Sequence, residues 1–275
     1  LPNTPKQQML WEALGHRPPR WGHVPVLVNE QRKKLSKRRD KVALEQYRDD
    51  GYLADAMVNY LMTLGWTPPG AEAAGSEIVS WNEIAAAFRL EDVTHSPAFF
   101  DVKKLAAFNG DYIRRMPRDE FVERASAELP PDWDRERFAA IAPHIQERLT
   151  TLREVPDKVA FLFWPDGEPI DYDTASWDKA FKPEWSAPLL ADVIAAYREA
   201  PWTADDLKAA LEQVMEPYSI KLGKAQAPVR VAVTGTAVGP PLFESLEVLG
   251  RDETIRRLSD ALEVASSDEP PASGR

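Results

Sequence analysis

The segment VPVLVNEQRKKLSKRRDK, residues 24–41, joins a short β-branched run to a strongly basic stretch. The run VPVLV, residues 24–28, has the composition of a buried strand. The ten residues 32–41 that follow carry seven basic side chains and one acidic side chain. This order predicts a strand that delivers a basic loop at its C-terminal end, which is the edge where open α/β sheets bind ligands.

The basic loop contrasts with the charge of the whole chain. The 275 residues have a formal net charge of -10, with 44% hydrophobic and 28% charged residues, as expected for a globular protein of two or three domains. No run approaches the roughly 18 consecutive apolar residues of a membrane helix, so we expect no membrane association. Because charges are screened beyond about 8 Å at physiological salt, a local basic loop still attracts a polyanion in an acidic protein.

Composition also limits metal chemistry and secretion. The absence of cysteine excludes disulfides and thiolate ligands and fits a cytoplasmic protein. Four scattered histidines place no pair on one helical face, so we expect no metal site and no zinc. The start Leu1-Pro2-Asn3 lacks the features of a signal peptide and resembles the interior of a domain, so we expect the C-terminal part of a longer protein.

Outside the loop, apolar residues recur mainly at helical spacing. Ser80 and Glu83 form a capping-box pattern, and Gly15 ends the first periodic segment. The pattern predicts helices at 6–14, 53–66, 80–90, 96–116 (one or two), 119–129, 135–152, 191–200 and 204–216. Breaks rich in proline, glycine or polar residues predict a mobile loop at 67–75, domain joints at 129–133 and 163–173, a connector at 230–235 and a disordered tail from 266.

The basic loop has two interpretations. Most Lys/Arg runs simply face water, or form nuclear-import or nucleic-acid patches. Here, however, Leu35 and Ser36 interrupt the charge after a predicted strand, so one apolar anchor can hold the loop over a polyanion. Ammonium groups placed there would stabilise the negative charge that grows on a leaving pyrophosphate.

The pentapeptide KLSKR, residues 34–38, resembles the second signature of class I aminoacyl-tRNA synthetases. The ordered blocks RDKVALEQYRDDGYLADAMVNYLMTLGW, SPAFFDVKKLAAFNGDYIR, PVRVAVTG and PPLFESLEVLG are similar to bacterial glutamyl-tRNA synthetases. The resemblance implies that Lys37 contacts the ATP phosphates and acts in catalysis, with Lys34 and Ser36 at the other polar positions. It implies a two-step reaction with ATP and Mg²⁺, in which glutamate is activated as its adenylate and then transferred to tRNA-Glu. The family also carries a first signature, an HIGH-like motif near the N-terminus. This sequence lacks it, since His16 is followed by Arg17-Pro18-Pro19.

The same resemblance implies RNA contacts in the helical part. Arg230 and the loop residues Gly239, Pro240 and Leu242 match positions that touch the anticodon, although packing residues would explain the apolar members equally well. One arginine of the segment 142–155, either Arg148 or Arg153, would help to read the last anticodon base. Asn109 and Tyr112 lie in a block that faces the inner side of the tRNA, or they cap and pack a helix.

The resulting fold prediction is a mainly α protein. Residues 1–43 are the edge of a Rossmann-like nucleotide-binding domain, 44–130 a stem-contact segment, and 131–265 a helical anticodon-binding region. We expect a monomer whose partners are tRNA-Glu, ATP and L-glutamate, and a chain that does not charge tRNA alone. The competing interpretations are a tRNA-modifying relative, which would lack the long helical part, and a non-catalytic RNA-binding module of synthetase descent.

Overall fold

A computed structural model describes residues 2–69, 77–165 and 167–267. The chain forms two compact units, Leu1–Tyr112 and Ile113–Arg275. The boundary falls inside one helix, Val102–Arg115. The predicted loop at 67–75 lies largely outside the described residues, as does the predicted tail from residue 268 onwards, whereas Ser266 is the last residue of a helix.

The first unit is built on a two-stranded parallel sheet and short helices. Strand β1 (Leu27–Val28) pairs with β2 (Ala98–Phe99), with Leu27 opposite Ala98. Its helices are α1 (Thr4–Ala13), α2 (Leu44–Asp49), α3 (Ala54–Met62), α4 (Trp81–Ala87) and α5 (Val102–Arg115), with a 3₁₀ turn at Leu90–Asp92. The main buried cluster is formed by aromatic and long apolar side chains, namely Tyr47, Met57, Tyr60, Leu105 and Phe108.

The predicted strand 24–28 is correct only at its end. Val24 and Val26 are 73% and 47% exposed, whereas Val28 is buried. The reason is that the partner strand β2 is two residues long and pairs only with Leu27 and Val28. Strand β2 lies within residues 96–116, for which the periodicity predicts only helix. Ser96 precedes a proline, which biases its backbone towards an extended conformation.

The second unit is a helical bundle. Its α-helices are α6 (Arg118–Ser126), α7 (Arg135–Ile145), α8 (Val155–Val159), α9 (Thr174–Phe181), α10 (Ser186–Glu199), α11 (Ala204–Met215), α12 (Leu222–Thr234), α13 (Leu242–Leu249) and α14 (Arg251–Ser266). Short 3₁₀ turns lie at Gln146–Arg148, Leu152–Glu154, Ala160–Leu162 and Glu216–Tyr218. Helix α10 packs against α11, α12 and α14, and its buried face is apolar. The mainly α fold class is confirmed.

The connector predicted at 230–235 is wrong. Its residues form the last turns of α12, which ends at Thr234, and Gly235 follows with φ +74°. The β-branched residues Val229, Val231 and Val233 are fully buried in the bundle. Burial therefore outweighs the weak helix propensity of valine and the proline at position 228.

The two proline-rich segments predicted as domain joints are connectors inside the second unit. Trp133 of the first segment stacks on Phe163 of the second, with ring centroids 4.4 Å apart. The contacts divide the chain into two compact units at Tyr112, and the three-part functional division at residues 43 and 130 stays a prediction. In the described ranges, no helix is long and apolar enough to cross a membrane.

Candidate functional site

The basic loop folds back on strand β1. The backbone of Leu35 donates to the carbonyl of Leu27 at 3.1 Å, and Lys34 forms an antiparallel bridge with Val28. The turn between them is closed by a 2.9 Å hydrogen bond from the Asn29 amide to the Lys33 carbonyl. The loop therefore follows the strand at the sheet edge, as the sequence predicts, and these backbone hydrogen bonds show in addition that it is ordered.

Two residues that sequence reasoning missed, Asn29 and Asp40, fix the shape of the loop. Asn29 Oδ1 accepts from the backbone N–H groups of Gln31 and Lys33 at 3.1 Å each, and Asn29 Nδ2 donates to Asp40 Oδ1 at 3.2 Å. Asp40 Oδ2 accepts from the Ser36 amide at 2.8 Å. The hydrogen bonds from Ser36 and then Asn29 hold the pKa of the Asp40 carboxyl below its ordinary value. One feature of the sequence could have identified Asp40: it is the single acidic residue among residues 32–41.

The predicted phosphate-binding side chains lie at the surface of this loop. Lys34 and Lys37 are exposed, and neither forms an ion pair with a described residue. Ser36 is half-buried, and its hydroxyl accepts from Arg39 Nε at 3.3 Å. Lys41, by contrast, pairs with Asp50 and lies over the Tyr47 ring. Lys34 and Lys37 therefore carry positive charge that a bound polyanion could neutralise.

A cavity of about 560 Å³ opens beside the loop. Three ammonium-bearing residues, Lys34, Lys37 and Lys41, contribute to its lining. The rest of the lining is apolar or aromatic: Val26, Leu27, Leu35, Val42, Leu44, Tyr47, Leu61 and Phe100. Such a cavity suits a ligand with an apolar, flat part and an anionic part, because each part meets its own kind of surface.

In the second unit, Arg148 and Arg230 converge on one loop. Arg148 Nη1 donates to the carbonyl of Gly239 at 3.0 Å, and Arg230 Nη1 donates to the next carbonyl, that of Pro240, at 2.5 Å. Burial lowers the pKa of the Arg230 guanidinium, the charge of Arg148 lowers it further, and Glu244 opposes the change. Two guanidinium groups held beside each other favour an anionic or acceptor-rich ligand, which would relieve their repulsion.

The loop 235–241 is held in place along its length. The Gly235 carbonyl accepts from the Asp173 amide at 2.9 Å, and the Ala237 amide donates to Ser176 Oγ at 3.0 Å. Thr236 Oγ1 donates to the Val238 carbonyl at 2.8 Å, while the Val238 side chain is 80% exposed. A loop that is already ordered loses little conformational freedom when it binds a partner.

Leu242 does not belong to the exposed surface of this loop. It is the first residue of α13 and is buried, as is Pro240, whereas Gly239 is half-buried. Its side chain packs in the bundle, and its contact with RNA stays a prediction. Gly239 and Pro240 take part through their carbonyls, which the two arginines hold.

Arg153 lies outside the cluster of Arg148 and Arg230. Its Nη1 pairs with Glu128 Oε2 at 3.3 Å, and its side chain is mostly exposed. The sequence left the choice between Arg148 and Arg153 open. The structure brings only Arg148 of the two to Arg230, and which arginine would read the last anticodon base stays a prediction.

Asn109 and Tyr112 differ in their access to solvent. Asn109 is fully buried, and its Oδ1 accepts from the Leu53 amide at 2.7 Å, which caps the start of α3. The structure thus gives Asn109 a helix-capping role, and its contact with RNA stays a prediction. Tyr112 is half-buried, and its hydroxyl lies 3.1 Å from Asn59 Oδ1 and 3.3 Å from the Val79 carbonyl.

Metal-ligating side chains do not cluster in the parts of the chain that the structure describes. Within residues 2–69, 77–165 and 167–267, no group of three or more His, Asp or Glu side chains could hold an ion. A metal ion that accompanies ATP would be held largely by the phosphates.

Comparisons with known proteins cover almost the whole chain. The family described as the catalytic domain of class I tRNA synthetases (E and Q) matches residues 1–107, and the anticodon binding domain family matches residues 120–262. A glutamate–tRNA ligase of Frankia casuarinae is 57% identical over 272 residues, which are 96% of this chain and 56% of the relative. The enzyme of the same name from Salinispora tropica is 57% identical over 274 residues, covering 95% of this chain and 57% of the relative. The chain thus spans little more than half the length of these curated relatives.

Solved structures agree with this comparison. A glutamate tRNA ligase from Elizabethkingia meningosepticum, crystallised in complex with its amino acid, has a TM-score of 0.78 and 25% sequence identity. The alignment covers 96% of this chain and 55% of that chain. A glutamate-tRNA synthetase from Elizabethkingia anophelis has a TM-score of 0.75 at 25% identity, covering 95% and 55% of the two chains.

Proposed function

Because the chain belongs to the glutamate–tRNA ligase family of class I tRNA synthetases, we propose that it supplies the ATP-phosphate loop and the tRNA-reading part of such a ligase. The enzyme would activate L-glutamate with ATP and transfer it to tRNA-Glu. The observation that carries the proposal is the ordered loop with Lys34 and Lys37 exposed at the sheet edge. We further propose a cytoplasmic monomer.

In the first step, the glutamate carboxylate attacks the α-phosphorus of ATP, the bond to the bridging oxygen breaks, and pyrophosphate leaves. Lys37 would stabilise the negative charge that grows on the pyrophosphate, with Lys34 as a second ammonium group. Asn29 and Asp40 would hold the loop in shape while both lysines remain free to move to the ligand. Mg²⁺ would travel with ATP and neutralise part of the phosphate charge.

In the second step, the terminal ribose hydroxyl of tRNA takes the glutamyl group and AMP leaves. The bundle would select the tRNA by its anticodon, whose unstacked bases expose their edges to side chains. Arg148 and Arg230 would donate to acceptor atoms of a base or phosphate from the ordered loop 235–241. A guanidinium has five N–H donors, so the bonds to the loop carbonyls leave others for RNA.

A non-catalytic RNA-binding module is the second candidate. It is favoured by the match of residues 120–262 to the anticodon binding domain family, a region that does not include the basic loop. Under this alternative the basic loop would bind RNA phosphates or no ligand. The chain would then bind tRNA without contributing to glutamate activation, even when the rest of a ligase is supplied.

The test joins this chain to the part of the Frankia casuarinae relative that it does not cover, and it measures glutamate-dependent ATP–pyrophosphate exchange. We expect the chain alone to show no exchange and no aminoacylation, and the joined protein to show both. Replacing Lys37→Ala should reduce exchange by about 10²–10³-fold, as for the loss of one donor to developing charge. The matched control Lys33→Ala removes the same charge from the same loop and should cost less than about tenfold. Equal losses for the two variants would leave only general electrostatics and contradict the proposal.

A further inference from the structure

A second cleft lies in the first unit, away from the basic loop. It has a volume of about 530 Å³ and is lined by residues from α3, α4, the segment before α4 and α5, namely Asp55, Val58, Asn59, Val79, Ser80, Trp81, Ile84 and Tyr112. None of these residues takes part in the ATP loop or the arginine cluster. The cleft therefore needs its own explanation.

Trp81 gives the cleft a flat aromatic surface. Its side chain is 63% exposed, and it stacks on no other ring among the described residues. It is the first residue of α4, and the capping box between Ser80 and Glu83 fixes that end of the helix. An exposed indole on a fixed helix start is a platform on which a base can stack.

Asp55 is the single charged residue in the lining. It is exposed at the second position of α3 and makes no hydrogen bond or ion pair with any described residue. An ionised carboxylate accepts hydrogen bonds through two oxygens and donates none. It also repels phosphate, so the cleft does not suit the RNA backbone.

The rest of the lining combines apolar side chains with a hydrogen-bonded amide, that of Asn59. Asn59 is buried, donates to the Glu77 carbonyl at 3.2 Å, and accepts from the Val79 amide at 3.1 Å. Its Oδ1 also lies 3.1 Å from the Tyr112 hydroxyl, so Tyr112 is positioned by the same amide. These bonds hold this part of the lining in one arrangement, and Ile84, which also lines the cleft, is buried.

We propose that this cleft binds an unpaired guanine base of an RNA. Among the four bases, guanine presents two adjacent donors, N1–H and N2–H, which match the two oxygens of one carboxylate. The base would stack on Trp81 while Asp55 accepts both hydrogen bonds, and its phosphates would stay outside. The inference rests on the proposed function in one respect, because the RNA would be the tRNA that the chain binds.

The test is a titration of the full chain with nucleosides. Binding is monitored through the indole N–H resonance of Trp81 in NMR spectra. The variant Trp81→Phe assigns that resonance. We expect guanosine to bind at least about fivefold more tightly than adenosine or inosine, because inosine lacks N2–H and loses a hydrogen bond to a charged group. Asp55→Asn should remove this preference. Both side chains are exposed, so neither variant removes a buried packing contact.

Two controls separate this site from general effects. Glu45→Gln changes a carboxylate at the same second position of another helix, α2, and should leave the guanosine preference unchanged. Trp11→Phe changes a different exposed indole and should leave the guanosine response unchanged. Equal binding of guanosine and inosine, or an unchanged preference in Asp55→Asn, would overturn the proposal. So would a response of Trp81 to N-acetyl-arginine methylamide and not to guanosine, which would indicate a site for basic peptides. Since nucleosides need neither the ATP loop nor the anticodon arginines, this test can fail while tRNA binding persists.

Discussion

Replacing Arg148→Ala should weaken tRNA binding, whereas Arg153→Ala should not. Arg148 Nη1 is bound to the Gly239 carbonyl beside Arg230, while Arg153 is paired with Glu128 outside that cluster. Loss of an arginine that contacts a base edge costs about 1–3 kcal/mol, which is about 5–150-fold in Kd. Loss of an exposed ion pair changes binding or stability by less than about 1 kcal/mol.

The two variants form a matched pair, because each removes one positive charge from the same segment. Fluorescence anisotropy with labelled tRNA-Glu at 0.15 M salt gives the two Kd values, and a salt series gives the slopes. If Arg148 contacts a phosphate, its loss should also reduce the salt slope by about one; if it reads a base edge, the slope should change less. Arg148→Lys keeps the charge but loses the planar fork, so it should recover only part of the affinity. Equal Kd values for Arg148→Ala and Arg153→Ala would refute the assignment.

Three further predictions concern stability. Burial raises the pKa of Glu253, but hydrogen bonds from Arg256 and Arg257 outweigh this and leave it below the ordinary 4.5. A depressed folded-state pKa gives stability that is present above pH 4.5 and is lost as pH falls below it. Urea unfolding should therefore show a free energy of unfolding that decreases below pH 4.5, and Glu253→Gln should reduce this pH dependence. Gly235→Ala should destabilise more than Gly167→Ala by at least about 1 kcal/mol in urea unfolding. Both glycines have positive φ, but a Cβ at Gly235 would lie 2.6 Å from the Asp171 carbonyl oxygen, whereas at Gly167 no atom of the described residues lies within 4 Å. Ser80→Ala should cost the first unit about 1 kcal/mol in thermal or urea unfolding, and Ser80→Thr should cost less, because threonine keeps the cap; equal costs would contradict a capping role.

The helical class and most helices could be predicted from periodicity. The capping box of Ser80 and Glu83 is an example, because both partners are local and the pattern determines the contact. The predicted helix 204–216 likewise agrees with Ala204–Met215, whose N-cap Thr203 accepts from the Asp206 amide. Local interactions of this kind can be read without knowledge of the tertiary structure.

The errors concern residues whose environment is set by distant partners. Val231 and Val233 are helical because the bundle buries them, and Val24 is exposed because β2 is short. The sequence could not show that the buried Asn109 side chain accepts a hydrogen bond from the Leu53 backbone, since the two residues are far apart in the chain. For the same reason, only the structure separates Arg148 from Arg153, as Gly239 and Pro240 lie about ninety positions away.

In the basic loop, too, some features follow from the sequence and others are visible only in the structure. Exposure of Lys34 and Lys37 follows from their charge, and the sheet edge beneath them follows from the β-branched run. The roles of Asn29 and Asp40 do not follow, because either residue alone is an ordinary loop residue. Only their mutual hydrogen bond, at 3.2 Å, marks them as the pair that shapes the loop.

The affinity of this chain for tRNA-Glu, compared with the same tRNA carrying an unrelated anticodon, tests the reading role of the bundle most directly. Both RNAs have the same length, charge and fold, so general electrostatic attraction is equal at a fixed salt concentration. The proposed contacts of Arg148 and Arg230 predict at least about tenfold weaker binding of the altered tRNA, roughly the loss of one base-specific interaction. Equal affinity for the two RNAs would contradict an anticodon-reading function.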